Sequence, residues 1–197
     1  MRRFGSLITV LILHAASVVL AQSNVPAVRP SALPDNETDS QALQARISSL
    51  TVKRPSGYPT SPLADKVTGQ WFEFATNDLD IKAISLDLQT DNSKLIVRTS
   101  KGDITTPFGF TNWKTSTEAF AIGMNQFVSV PEKPLIAACG AWTEDNVLTL
   151  KLVAYETPFY TTLNMRFDAN RLLIDAEHNA AFGPTKLPEL IGERDLR

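Results

Sequence analysis

From Gly69 onward the chain is a series of short runs in which apolar and polar residues alternate, each closed by turn-forming residues, and this constrains its fold more than any other feature. The runs cover 69–75, 81–89, 94–100, 104–113, 119–127, 135–142, 147–155, 160–167 and 171–179. Between them lie TNDLD, TDNS, KGD, PEKP, TEDN, ETP and DAN, rich in residues that accept turn conformations. This predicts eight or nine strands in about 115 residues, with no helical period among them. Connections this short require antiparallel neighbours in a meander, and closing the sheet removes its exposed edges. The expected fold is all-β, an antiparallel up-and-down barrel of 8–9 strands, or else a strongly bent sandwich.

Parity assigns the faces. Leu148, Leu150, Leu152 and Ala154 point one way and Thr149, Lys151 and Tyr155 the other. Leu163, Met165 and Phe167 oppose Asn164, Arg166 and Asp168, and Leu172, Ile174 and Ala176 oppose Asp175, Glu177 and Asn179. Extending the same parity turns Glu156 and His178 inward at the ends of their strands, where an interior meets solvent. Trp71 and Glu73 share a face of the first run.

The segments before the strands read differently. Residues 1–21 have a basic start (Arg2, Arg3), an apolar stretch from Leu7 to Leu20 and a small-residue cleavage pattern ending at Ala21, as a secretory signal peptide does. The protein is therefore expected outside the cell, or in the periplasm of a Gram-negative bacterium, with no membrane span after cleavage. Residues 22–38 form a Pro/Ala/Ser-rich leader containing the glycosylation sequon Asn36-Glu37-Thr38. Residues 39–64 hold a short helix with Leu43, Ile47 and Leu50 on one side and Asp39 or Ser40 as N-cap, then a Pro-rich strap, KRPSGYPTSP. The barrel is assigned to 65–192 and a tail to 193–197.

Composition narrows the chemistry. The signal segment takes two of the 19 Lys and Arg and none of the 21 Asp and Glu, so the remainder is mildly acidic. Nucleic acids and anionic membranes call for a basic face, and are not expected partners. Cys139 is the one cysteine, so no internal disulfide forms and the fold must rest on its core. His178 is the one histidine left once His14 departs with the signal. One histidine and one cysteine on different strands cannot build a zinc or copper site, and no metal or cofactor is expected.

Four stretches carry a family resemblance: GYPTSPLADKVTGQWFEF, GAWT (140–143), YETPF (155–159) and RFDANRLLIDAEHNAAFGP (166–184). Together they make residues 40–192 resemble the C-terminal region appended to certain beta-lactamase-related, penicillin-recognising serine hydrolases. That resemblance implies a lipocalin-like barrel lying beside a catalytic domain, without an activity of its own. Gly69-Gln70-Trp71 also looks like the G-x-W opening of lipocalins. The family's S-x-x-K nucleophile motif and its K-T-G are missing here, so none of its catalytic residues carries over.

The expected function is that of an exported, non-catalytic, monomeric binding or interaction module. It would hold a small apolar ligand or present a face to a protein such as a related serine hydrolase. The ligand form predicts an open interior lined by Leu150, Leu152, Met165 and Ile174, with Glu156 and His178 at the mouth and Trp71, Glu73 and Tyr155 as further candidate ligand-binding residues. A filled interior favours the protein partner. The alternatives are a small hydrolase pairing Glu73 or Glu156 with His178, and a truncated remnant of a serine hydrolase.

Overall fold

The computed structural model describes residues 36–89, 92–124 and 134–194. The signal segment and most of the leader lie outside these. The chain divides into two compact units, Met1–Val52 and Lys53–Arg197.

The first unit contains helix α1 (Glu37–Ser49). Its N-cap is Asn36, three residues before the expected Asp39. Asn36 has extended backbone, and its side-chain oxygen accepts from the Asp39 N–H at 3.2 Å. An extended residue with a short carbonyl side chain is what the first helical turn needs to satisfy its free donors. The sequon asparagine is thus also the cap. Leu43, Ile47 and Leu50 are each at least half exposed, so the spacing that suggested a buried stripe does not bury one.

The second unit opens with the strap and a one-turn helix, α2 (Ala64–Val67). Ten strands follow: β1 (Trp71–Phe74), β2 (Ala83–Asp87), β3 (Ser93–Thr99), β4 (Gly102–Phe108), β5 (Lys114–Ser116), β6 (Ile136–Glu144), β7 (Val147–Ala154), β8 (Tyr160–Asp168), β9 (Arg171–His178) and β10 (Leu190–Arg194). They form one antiparallel sheet in the order β4-β3-β2-β1-β10-β9-β8-β7-β6-β5. Strand β10 returns to lie beside β1, with Phe72, Glu73 and Phe74 opposite Arg194, Glu193 and Gly192. The free ends of the sheet meet where the Gly109 carbonyl, one residue past β4, accepts from the Gly140 N–H at 2.9 Å. The result is an all-β up-and-down barrel, nearly closed.

Two strands exceed the expected count. β5 is three residues long, and β10 falls in a stretch whose alternation is weak. One expected strand, over 119–127, does not form in its described part, 119–124. Residues 119–124 turn instead of extending: Gly123 has φ +64°, and Ile122 and Met124 are buried against the barrel core. A short continuous apolar run reads alike for a strand and for a buried turn, and here Gly123 selects the turn. The rest of that run lies outside the described residues.

The inner face is filled by side chains, the outcome expected to favour a protein partner over a ligand held in an open interior. Leu150, Leu152 and Met165 have no solvent-accessible surface and Ile174 is 1% exposed. They belong to one cluster that continues through Phe72, Ile84, Leu95, Val97, Phe108, Leu148 and Leu163. A Cβ added at Gly140 would lie 2.5 Å from Leu150 Cδ2, so even a methyl group would force that side chain to shift. At the far end Trp142 and Phe72 both pack on Phe167, with ring centroids 5.7 and 5.9 Å away.

Strand β6 is buried on both faces from Ile136 to Trp142, and the strap explains why. Tyr58 exchanges backbone hydrogen bonds with Trp142, at 2.9 and 2.8 Å, while Gly57 passes so close that a Cβ there would sit 2.2 Å from the Trp142 carbonyl oxygen. The strap is tied down further by Ser61 Oγ donating to the Asp145 carbonyl and by Arg54 donating to that of Thr111. The small outer residues Ala137, Cys139 and Ala141 let it lie against the sheet. Three separate segments, β5, Gly109 and Tyr58, therefore cover the one edge of β6 that β7 leaves free.

Candidate functional site

The sequence-derived candidates gather at one end of the barrel or on its outside, but they do not converge. Strand β7 stops at Ala154, so the parity that turned Glu156 inward no longer applies: Tyr155 and Glu156 are both exposed turn residues. Glu156 does not anchor the hairpin either. Thr157 does, its Oγ1 donating to the Ala154 carbonyl at 2.8 Å and accepting from the Phe159 N–H at 3.2 Å. Asn179 completes the corner, accepting from the Tyr160 N–H and donating to the Pro158 carbonyl.

His178 faces inward as parity required and is 2% exposed. Its Nδ1 lies 2.8 Å from Thr161 Oγ1 on the neighbouring strand. Burial pushes its imidazole below the ordinary pKa, toward the neutral form. Gly123 covers it: a Cβ on that glycine would sit 3.0 Å from His178 Nε2. Trp71 and Glu73 lie on the outer face of β1. The Arg98 guanidinium stacks over the Trp71 ring at 4.0 Å, and Glu73 is exposed opposite Glu193. A Glu–His hydrolytic pair is thus not assembled, because His178 is enclosed while Glu73 and Glu156 project to solvent. Among the described residues no three His, Cys, Asp or Glu side chains come together as metal ligands. The acidic turns are occupied structurally, with Asp80 accepting from the Ser100 N–H and hydroxyl and Asn146 Nδ2 donating to the Phe167 carbonyl.

What the same end does present is a cleft of about 710 Å³, formed where β1 ends, β10 begins and the turn around Gly123 approaches. It is lined by the apolar Phe74, Leu79, Leu187, Leu190 and Ile191 and by the polar Asn77, Asp78 and Glu189. Gly192 lets the Phe74 ring lie flat on β10, since a Cβ there would meet Phe74 Cζ at 2.7 Å. Asn77 shapes the other wall with four hydrogen bonds. Its Oδ1 accepts from the Leu79 and Ile81 N–H groups, and its Nδ2 donates to the Ala75 and Ile81 carbonyls. That network is an Asx turn closed on both sides, and it holds Leu79 over the cleft.

None of these residues was singled out from sequence. The TNDLD turn reads as a plain connection, and LPELI (187–191) follows what looks like the last strand. The available signal was the late apolar cluster Leu187, Leu190 and Ile191, which no strand or helix before it had claimed.

No family model matches this chain, and no curated protein matches it. Solved structures do. One is a fatty acid-binding protein from brain tissue of Drosophila melanogaster, 10% identical, TM-score 0.45, the match covering 66% of this chain and 99% of that one. Another is Echinococcus granulosus fatty-acid-binding protein 1, also 10% identical, TM-score 0.47, covering 68% of this chain and 99% of its own. The barrel described above rests on the strand register of this chain itself.

Proposed function

We propose that this chain is an exported, non-catalytic binding module that holds a small apolar or amphiphilic molecule in the cleft between β1 and β10. The observation that carries this reading is an apolar-walled recess of about 710 Å³ built on strand ends, above an interior already filled by its own side chains. Its size falls within the span of small-molecule sites, and its lining is mostly apolar with a few polar groups, as such sites are. The ligand belongs at the rim instead of inside, because admitting it to the interior would require displacing Leu150, Leu152 and Met165.

Binding of a neutral solvatochromic dye, measured by fluorescence with wild type and Ile191→Asp, tests the reading. Ile191 is 47% exposed, so the substitution spares the core, while it places a charge on the apolar wall. Affinity should fall about tenfold or more, equivalent to at least about 1.4 kcal/mol. No dye binding by wild type, or equal binding by both proteins, rejects the cleft as the site.

A second reading, a protein partner, is favoured by the filled interior and by exposed aromatics at this end. Phe182, on the loop after β9, is fully exposed, and Tyr155 beside the same end is about half exposed. Exposed aromatics of this kind suit a protein partner. The resemblance to the region appended to serine hydrolases makes such an enzyme the partner to try first, with loss of association in Phe182→Ser as the readout.

A further inference from the structure

We infer that the molecule taken by the cleft carries a cationic head on an apolar chain, in the manner of a long-chain amine or quaternary ammonium amphiphile. The inference rests on the cleft being a ligand site, as proposed above, and concerns which ligand class it selects. Among the described residues, the ionisable groups lining the cleft are Asp78 and Glu189, both carboxylates, with no lysine or arginine beside them. The buried polar residues described for the barrel are serines, threonines and His178, with no lysine or arginine among them. His178, the one buried group that could take up a proton, is held toward its neutral form by its enclosure.

A carboxylate head brought to this wall would meet two like charges and no cation, losing its water without a partner. An ammonium head meets the reverse: two carboxylates in the lining, and the Phe74 ring to add a cation–π contact. The apolar chain then runs along Leu79, Leu187 and Leu190. Charge therefore sorts ligands of equal chain length, favouring cations over neutral alcohols and those over fatty acids. Both carboxylates are exposed, so the preference is modest and weakens with salt.

The test compares dodecyltrimethylammonium, 1-dodecanol and dodecanoate, each below its aggregation concentration, as competitors of the neutral dye on wild type and on the Asp78→Asn/Glu189→Gln double variant. The expected result is binding in that order, with about fivefold between the cation and the alcohol at low salt, shrinking at high salt and vanishing in the double variant. Equal competition by all three, or tightest binding of dodecanoate, overturns the charge selection while leaving the cleft as a site. A cation preference that persists in the double variant also overturns it, because the selecting charge then lies elsewhere. If neither the dye nor any competitor binds, the site and the selection fall together.

Discussion

Asn77 has the widest structural reach of any single side chain at the candidate site. Its four hydrogen bonds, between 2.7 and 3.2 Å, close the turn that connects β1 to β2 and hold Leu79 in the cleft wall. Asn77→Ala leaves two backbone N–H groups and two carbonyls to find water or go unpaired, at an expected loss of about 2 kcal/mol. Asn77→Asp keeps both acceptor bonds but sets a carboxylate oxygen against the Ala75 and Ile81 carbonyls, so it should lose at least as much as the alanine variant. Urea unfolding monitored by tryptophan fluorescence checks the order, and an alanine variant as stable as wild type would remove Asn77 from this role. The residue scale is also where sequence reading went furthest astray. Glu156 lay two positions beyond the last paired residue of β7, and parity says nothing about a side chain once the strand has stopped. His178 is the last residue of β9, still in register with Thr161, and there the same rule gave the right face. Two residues past a strand end separate an empty inference from a reliable one.

At the scale of elements, the long strands were legible because each alternates strongly and ends in a turn residue, as β7, β8 and β9 do. Strand β10 was not, although it joins the two halves of the sheet. Gly192 offers no side chain to its inner face, Ile191 points outward, and Glu193 sits directly opposite Glu73. Like charges face to face disfavour pairing, and what offsets them is a row the sequence cannot show: Arg171 opposite Glu193 on one side and Arg98 near Glu73 on the other. KRPSGYPTSP reads equally as a linker or an extended strap for a related reason, since its value lies in what it covers. Cys139, on the outer face of β6, is wholly buried beneath it and the Phe110 carbonyl, and burial raises its thiol pKa. Gly57→Val would drive a side chain into the Trp142 carbonyl and release the Tyr58–Trp142 pair. A loss of about 2 kcal/mol there raises the open-strap population roughly thirtyfold. Reaction of Cys139 with an aromatic disulfide reagent should accelerate by about that factor under native conditions. Gly183→Val is the control, because nothing lies within 4 Å of a Cβ at that position. Equal rates in the two variants would show that the strap does not shield the thiol.

For the molecule as a whole, a filled barrel closed by short segments makes stability depend on keeping its interior uncharged, and His178 is where acid can change that. In the unfolded chain its imidazole takes up a proton near the ordinary value of 6.5, while in the folded barrel burial holds it lower. Between those two values the unfolded chain binds more protons than the folded one, so unfolding free energy falls as pH drops from neutral through 6.5 and below. The contribution is fully present above that range and stops changing once the folded-state imidazole is itself protonated. Asp80 and Asp103, whose carboxyls are held below their usual 3.8 by Ser100 and Arg98 respectively, lose their stabilising contribution only at more acidic pH, so the two windows separate. His178→Asn keeps a polar atom near Thr161 Oγ1 and removes the titration. It should therefore unfold with a flatter pH dependence across the histidine window, whatever its absolute stability, and merge with wild type in slope at lower pH. Chemical denaturation at several pH values on either side of 6.5 measures both slopes. Parallel curves for the two proteins would mean that the enclosed imidazole does not couple acid to the fold.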